Sequence, residues 1–203
     1  MLLKRLFDIL FSFLGLIIFT PLFIVITILI KVSMPGPVIF RQKRVGRYGR
    51  PFTIAKFRTM ILNHNGTSIS VKGEDRITSL GAILRKYKLD EMQELWNVLR
   101  GDMSFVGPRP DVPEYIDRLA GEEKHILEIR PGITSPATLK YSNEEELLSL
   151  VPNPKEYYDE IIWPDKVSLN LDYYYNRSFF GDINLIFQTI FFRKKFACSN
   201  PTS

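Results

Sequence analysis

Apolar residues crowd the start of the chain and then give way to shorter, periodic runs. From Ile9 to Ile30 there are 22 consecutive uncharged residues, and Asp8 is the one charge between Leu6 and Ile30. That length of helix reaches across a hydrocarbon core of about 30 Å. Pro21 falls near its middle, where a proline removes a backbone hydrogen bond and kinks a helix. Basic residues flank both ends, Lys4 and Arg5 before, Lys31 and the Arg41–Arg50 cluster after, and positive flanks favour the cytoplasmic side. Two readings stand: a kinked spanning helix, or one that enters, breaks at Thr20-Pro21 and returns. In the second, the Thr20 hydroxyl and its neighbours would serve the backbone groups freed by the proline.

The period then changes. Val38 to Val45 and Phe52 to Phe57 are β-branched and aromatic, with Gly46 to Gly49 between them as a turn, which predicts a hairpin. Lys56 and Arg58 alternate with Phe57 and so share one face of its second strand. Residues 61 to 76 are polar and contain glycine, the signature of a loop, and His64 reads there as a surface histidine. Leu80, Ile83, Leu84 and Tyr87 mark a helix with Arg85 off its apolar face. Leu89, Met92, Leu95, Trp96 and Leu99 mark the next, which Gly101 ends. Pro113 to Ile129 reads as helical. The acidic run Glu144 to Glu146 reads as a solvated helix face. Pro164 opens a helix carrying Val167, Leu171, Tyr174 and Tyr175, and Asp182 caps a last apolar segment ending in Arg193, Lys194 and Lys195. That segment suits either a membrane interface or core packing.

Composition narrows the chemistry. The lone Cys198 excludes an intramolecular disulfide, and one cysteine with two histidines, His64 and His125, argues against zinc. The net charge is +5, but no acidic residue occurs between Asp8 and Glu74, an interval that holds nine lysines and arginines from Lys31 to Lys72. A basic third beside an apolar run points to an anionic lipid surface or an anionic substrate. The apolar run weighs against nucleic acid.

The chemistry concentrates from Leu89 to Pro110. Asp90 and Glu91 are adjacent at a helix start, where unpaired N–H groups favour anions. Successive helical residues point about 100° apart, so the two cannot flank one scissile bond as a glycosidase pair does. They suit divided labour: one nucleophile or metal ligand, one proton carrier or second ligand. The alternative is a helix cap, since Asp90 and Gln93 fit the D-x-x-Q form of a capping box.

Four motifs taken together, K-F-R-T-M from Lys56, L-D-E from Leu89, G-D-M-S-F-V-G-P-R-P from Gly101 and R-P-G-I-T from Arg130, resemble the bacterial sugar transferases, the monotopic phosphoglycosyl transferases. The resemblance runs in order from Lys4 to about Lys195. It implies an α+β, mostly helical fold: a re-entrant membrane helix and anchor over 1–36, then a cytosolic catalytic domain over 37–196 with a small hairpin and interfacial amphipathic helices. Residues 197–203 would be a disordered tail. It also implies transfer of a phosphosugar from a UDP-sugar to polyprenyl phosphate, with release of UMP, a Mg²⁺ requirement and a covalent aspartyl intermediate. The location would be the cytoplasmic face of the bacterial inner membrane among membrane lipids, without nucleic acid; the oligomeric state stays open, a homodimer included. Residue by residue, Asp90 matches the nucleophile and Glu91 its partner for Mg²⁺ or protons. Lys56, Arg85, Arg109 and Arg130 match phosphate- or nucleotide-binding positions, and Thr20-Pro21 the helix break; Arg58, on the strand face of Lys56, is a further phosphate candidate. One departure matters. After R-P-G-I-T the chain reads Ser135 to Lys140 and then an acidic insert up to Trp163-Pro-Asp-Lys166, so sugar selectivity does not carry over. A non-catalytic membrane scaffold is the competing class.

Overall fold

The computed structural model of the chain describes residues 2–61 and 76–191. His64, Arg193 to Lys195 and the expected tail lie outside them. Helix α1 (Leu2–Ser33) runs 32 residues with Pro21 inside it. It is long and apolar enough to cross a membrane, and most of its apolar side chains are exposed. The Thr20 hydroxyl donates to the Leu16 carbonyl at 2.6 Å. This is the ordinary bond one turn back, not one to the Ile17 carbonyl that Pro21 leaves unserved, so the expected repair is not the one made.

Both ends of α1 are tied to the rest of the protein. Ile26, Ile30 and Met34 are buried with Phe57 and Leu84, and the Arg58 guanidinium donates to the Met34 carbonyl at 2.9 Å. At the other end Arg5 donates to the Val98 and Leu99 carbonyls, and the Phe105 N–H donates to Asp8 Oδ1 at 3.2 Å.

The hairpin forms as the alternation predicts. Strands β1 (Ile39–Val45) and β2 (Pro51–Phe57) pair antiparallel from Ile39 opposite Phe57 to Val45 opposite Pro51. Tyr48 and Gly49, both with positive φ, make the turn. Helix α2 (Ser79–Tyr87) is capped by the Thr78 hydroxyl. Its chain turns sharply at Lys88, with φ 56°, into a 3-10 turn, Leu89–Glu91, and then α3 (Glu94–Arg100). The single amphipathic helix expected over Leu89 to Leu99 is therefore broken. Its buried side also differs: Trp96 is 56% exposed while Asn97 and Val98 are buried. The cause is that α3 packs against both α1 and β2, and Asn97 Nδ2 donates to the Thr53 carbonyl at 2.9 Å.

Beyond α3, β3 (Ser104–Val106) leads to a short α4 (Pro113–Ile116) and a 3-10 segment, Gly121–Glu128. The continuous helix expected over Pro113 to Ile129 instead stops at Ile116, and an extended Ala120 followed by Gly121 with φ 52° separates it from the 3-10 segment. Strand β4 (Gly132–Thr134) pairs parallel with β3. Next come α5 (Pro136–Lys140), α6 (Glu144–Ser149), α7 (Pro154–Tyr157), a π turn at Tyr158–Ile162 and α8 (Trp163–Asn176). Pro164 stands in the first turn of α8, as expected, where a proline is tolerated, and the π turn leads directly into it.

The last described helix is α9 (Phe179–Phe191). Ser178, not Asp182, supplies its first-turn hydrogen bond, to the Gly181 N–H. Asp182 is instead buried, bonded to Lys4 at 2.5 Å and to the Tyr173 hydroxyl at 2.7 Å.

Candidate active site

The corner between α2 and α3 carries the acidic pair. Lys88 in the left-handed region reverses the chain direction at a cost of about 1–2 kcal/mol for a residue with a Cβ. The tight turn that follows sends the two carboxylates apart. Glu91 Oε1 accepts from Lys56 Nζ at 2.7 Å and from the Arg109 guanidinium. Lys56 also lies 3.5 Å from Glu94 Oε1. Asp90 is buried, and its Oδ1 has no hydrogen-bond partner. That side chain caps nothing, which removes the D-x-x-Q reading.

Glycine places Arg109. It projects from the Gly107–Pro110 turn, which is pressed against β4: a Cβ on Gly132 would lie 2.1 Å from the Gly107 nitrogen, and one on Gly107 would lie 2.3 Å from the Arg130 carbonyl. Two backbones can approach that closely only without side chains. The pairing of β3 with β4 thus fixes the loop that aims Arg109 at Glu91.

The electrostatics follow from this packing. Two cations, Lys56 and Arg109, face three carboxylates, Asp90, Glu91 and Glu94. Burial opposes ionisation of Glu91, but Arg109, Lys56 and Lys88 outweigh it and hold its carboxyl well below the usual range. Asp90 goes the other way: burial, then repulsion from Glu91, pushes its pKa up. Burial and Glu91 do the same to Glu94. In return Glu91 keeps Arg109 firmly charged. One corner therefore holds a carboxylate kept ionised by two cations and a buried one whose Oδ1 meets no partner among the described residues and whose pKa is raised.

Around it lies a shell that the spacing did not reveal. Arg85 bonds Glu145 at 2.5 Å, Lys166 bonds Glu144, and Arg44 reaches Asp111 at 3.5 Å. The expectation of a solvated acidic face on α6 is thus corrected, since two of its three glutamates pair with cations at the site's edge. Arg85 is near enough to Asp90 to favour its charged form. The other two candidate arginines are not brought to the pair. Arg58 is turned to the end of α1, and Arg130 bonds the Gly101 carbonyl at 2.9 Å, at the far end of α3. Glu94 carried a faint signal, lying one helical turn after Glu91; Glu144, Glu145, Arg44, Asp111 and Lys166 carried none.

Among the described residues no group of three or more histidine, cysteine, aspartate or glutamate side chains is gathered to hold a metal. A hard dication such as Mg²⁺ needs only one or two carboxylates beside substrate phosphates and water. The unpartnered Asp90 oxygen fits that demand; Glu91 Oε1, already shared by two cations, fits it less well.

The family model for bacterial sugar transferases matches residues 1–195. This chain belongs to that family. The match takes in every residue of the corner described above. Among curated family members, an Aeromonas hydrophila protein named as a UDP-N-acetylgalactosamine-undecaprenyl-phosphate N-acetylgalactosaminephosphotransferase is 34% identical over 196 residues, 92% of this chain and 42% of its own length. The Bacillus subtilis uncharacterized sugar transferase EpsL is 35% identical over 191 residues, covering 94% of this chain and 86% of its own. A Caulobacter vibrioides UDP-glucose:undecaprenyl-phosphate glucose-1-phosphate transferase is 33% identical, covering 92% and 68%. This sugar transferase therefore spans less than half of the Aeromonas protein but most of EpsL.

Proposed function

We propose that this protein moves a phosphosugar from a UDP-sugar to polyprenyl phosphate, the first membrane step of a bacterial surface glycan. The names of its relatives support the donor and acceptor classes, and the buried, unpartnered carboxylate of Asp90 carries the mechanism. Asp90 attacks the β-phosphorus of the donor. The bond from that phosphorus to the bridging oxygen breaks, UMP leaves with the oxygen, and an aspartyl-phosphosugar remains. An oxygen of polyprenyl phosphate then attacks the same phosphorus, releasing the carboxylate and forming polyprenyl-diphosphate-sugar. Splitting the transfer lets one small site serve a soluble donor and then a lipid acceptor.

Lys56 and Arg109 offer their remaining N–H groups to the diphosphate, and Arg85 joins them by exchanging Glu145 for a phosphate oxygen. Phosphoryl transfer asks for such positioning and charge more than for elaborate proton movement. Glu91 holds both cations in place. Asp90, with Glu91 beside it, would bind Mg²⁺, which when bound neutralises diphosphate charge; exhaustive chelation should abolish turnover. Helix α1 enters the cytoplasmic leaflet, bends near Pro21 and returns, and α9 lies along the interface. The attachment of both α1 ends to one body supports that topology.

The deciding experiment uses membranes and donor labelled in the β-phosphate. Wild type should retain acid-stable, protein-bound label that chases into lipid on addition of acceptor, and Asp90→Asn should retain none. Full turnover by Asp90→Asn would overturn the mechanism.

A further inference from the structure

Two groups of cations at the two ends of α3 differ in what they meet. Lys56, Arg109, Arg85, Arg44 and Lys166 each meet a carboxylate. Arg5, Arg47 and Arg130 do not: among the described residues, their hydrogen bonds run to backbone carbonyls and one phenol. Arg5 donates to the Val98 and Leu99 carbonyls at 2.7 and 2.9 Å. Arg130 Nε donates to the Gly101 carbonyl at 2.9 Å. Arg47 Nε donates to the Glu128 carbonyl at 2.7 Å, and its guanidinium lies 4.5 Å from the centre of the Tyr48 ring.

The three converge. Gly101 has φ 98°, and a Cβ there would sit 3.1 Å from Arg5 Nη2, so no side chain separates Arg5 and Arg130 over the end of α3. Burial, then Arg5 and Arg47, push the Arg130 pKa down. The nearby Asp8 carboxylate, which accepts from the Phe105 N–H, offsets part of this charge by facing Arg5 and Arg130. Capping α3 explains part of this, because carbonyls at a helix C-terminus attract cations. A helix end carries only about half a negative charge and Asp8 at most one more, which leaves about half of three positive charges unbalanced.

The surroundings identify what balances them. The cluster stands where α1 begins, beside Leu2, Leu3 and Leu6, which are 77, 60 and 56% exposed, and beside the exposed Tyr48 ring. Apolar side chains next to concentrated cations, with an aromatic alongside, match the boundary between acyl chains and headgroups. The cluster is also apart from Asp90, at the opposite end of a seven-residue helix that is about 10 Å long. We propose that Arg5, Arg47 and Arg130 bind the phosphate of an anionic phospholipid headgroup, at a site distinct from the reacting corner. The phosphate bridges guanidinium groups of α1, the hairpin turn and the segment before β4, while its acyl chains lie along the first turns of α1.

The test uses the full-length chain in detergent, with bound lipid counted by native mass spectrometry. Phosphatidylglycerol should be retained in preference to phosphatidylcholine. Arg47→Gln and Arg130→Gln should each weaken phosphatidylglycerol binding about fivefold, as one lost cation at a charged membrane surface would. Arg41→Gln, on the exposed outer part of β1, should change it less than about twofold. Excess inorganic phosphate should leave the lipid in place. The proposal is overturned if folded Arg47→Gln protein binds phosphatidylglycerol as wild type does, or if both lipids bind equally. It is also overturned if Arg41→Gln is as damaging, which would make the attraction a property of overall charge, or if inorganic phosphate strips the lipid, which would make the site one for free anions. Arg47 lies on a surface turn, so its variant remains informative should Arg130→Gln fail to fold.

Discussion

At Asp90, burial and the neighbouring Glu91 favour the protonated carboxyl, while Lys56, Lys88 and Arg85 favour the carboxylate, and the first two prevail. In the proposed mechanism the attacking form is the carboxylate, so turnover should rise with pH through a pKa above the ordinary aspartate value while Glu91 stays ionised throughout. In Glu91→Gln the repulsion disappears and two cations are released toward Asp90. The acid limb of the kcat/KM profile, measured on the residual activity, should then move to lower pH. The same shift has a stability side. A carboxyl whose folded pKa is raised contributes fully below its unfolded pKa, and that contribution is lost as pH rises through the folded value. Asp90→Asn should therefore unfold at neutral pH no more easily than wild type, and up to about 1 kcal/mol less easily, as read by thermal melting in detergent. A capping aspartate would instead lose about 1 kcal/mol on substitution. Adjacency made the pair itself legible. Its partners were not: Lys56 lies 35 residues before Glu91, and no local period links a strand residue to a helix corner.

Elements with their own periodicity were legible, and those made by long-range contact were not. The hairpin shows in its β-branched and aromatic residues, and α1 in its hydropathy. The parallel pair β3–β4 is three residues long on each side, too short for alternation to register. Yet it positions Arg109, through glycines whose backbones touch. Gly132→Ala should cost about 2 kcal/mol by overpacking, measured as a lowered melting temperature. It should also reduce kcat/KM beyond the loss of folded protein, because the Arg109 turn is displaced with it. The helix expected over Pro113 to Ile129 shows the opposite error. Its apolar spacing is genuine, but α4 stops at Ile116, and an extended Ala120 with left-handed Gly121 divides it from the 3-10 segment. The Glu144 to Glu146 run misleads for a related reason: charge on a helix face predicts water only when no cation packs opposite.

At the scale of the molecule, α1 is a structural member as well as an apolar one. Lys4 and Tyr173 share the buried carboxylate of Asp182, so Asp182→Ala should destabilise the protein by about 2 kcal/mol, less than a fully buried pair would because Lys4 is partly exposed. Limited proteolysis should then release the N-terminal turns first. In a Cys198→Ser background, cysteines placed at positions 3 and 35 should both label from the cytoplasmic side; labelling from opposite sides would mean a spanning helix. The positive flanks made that topology readable as one of two options, whereas the tethers that bear on it are long-range, from Arg58 and Phe105 out to Asp182. Lys4 and Asp182 are 178 residues apart. The contacts of the first turns of α1 with α3 and β3 can therefore form as soon as residue 105 has been synthesised, whereas the ion pair that fastens Lys4 must wait for Asp182, so that end of the helix is secured in two stages.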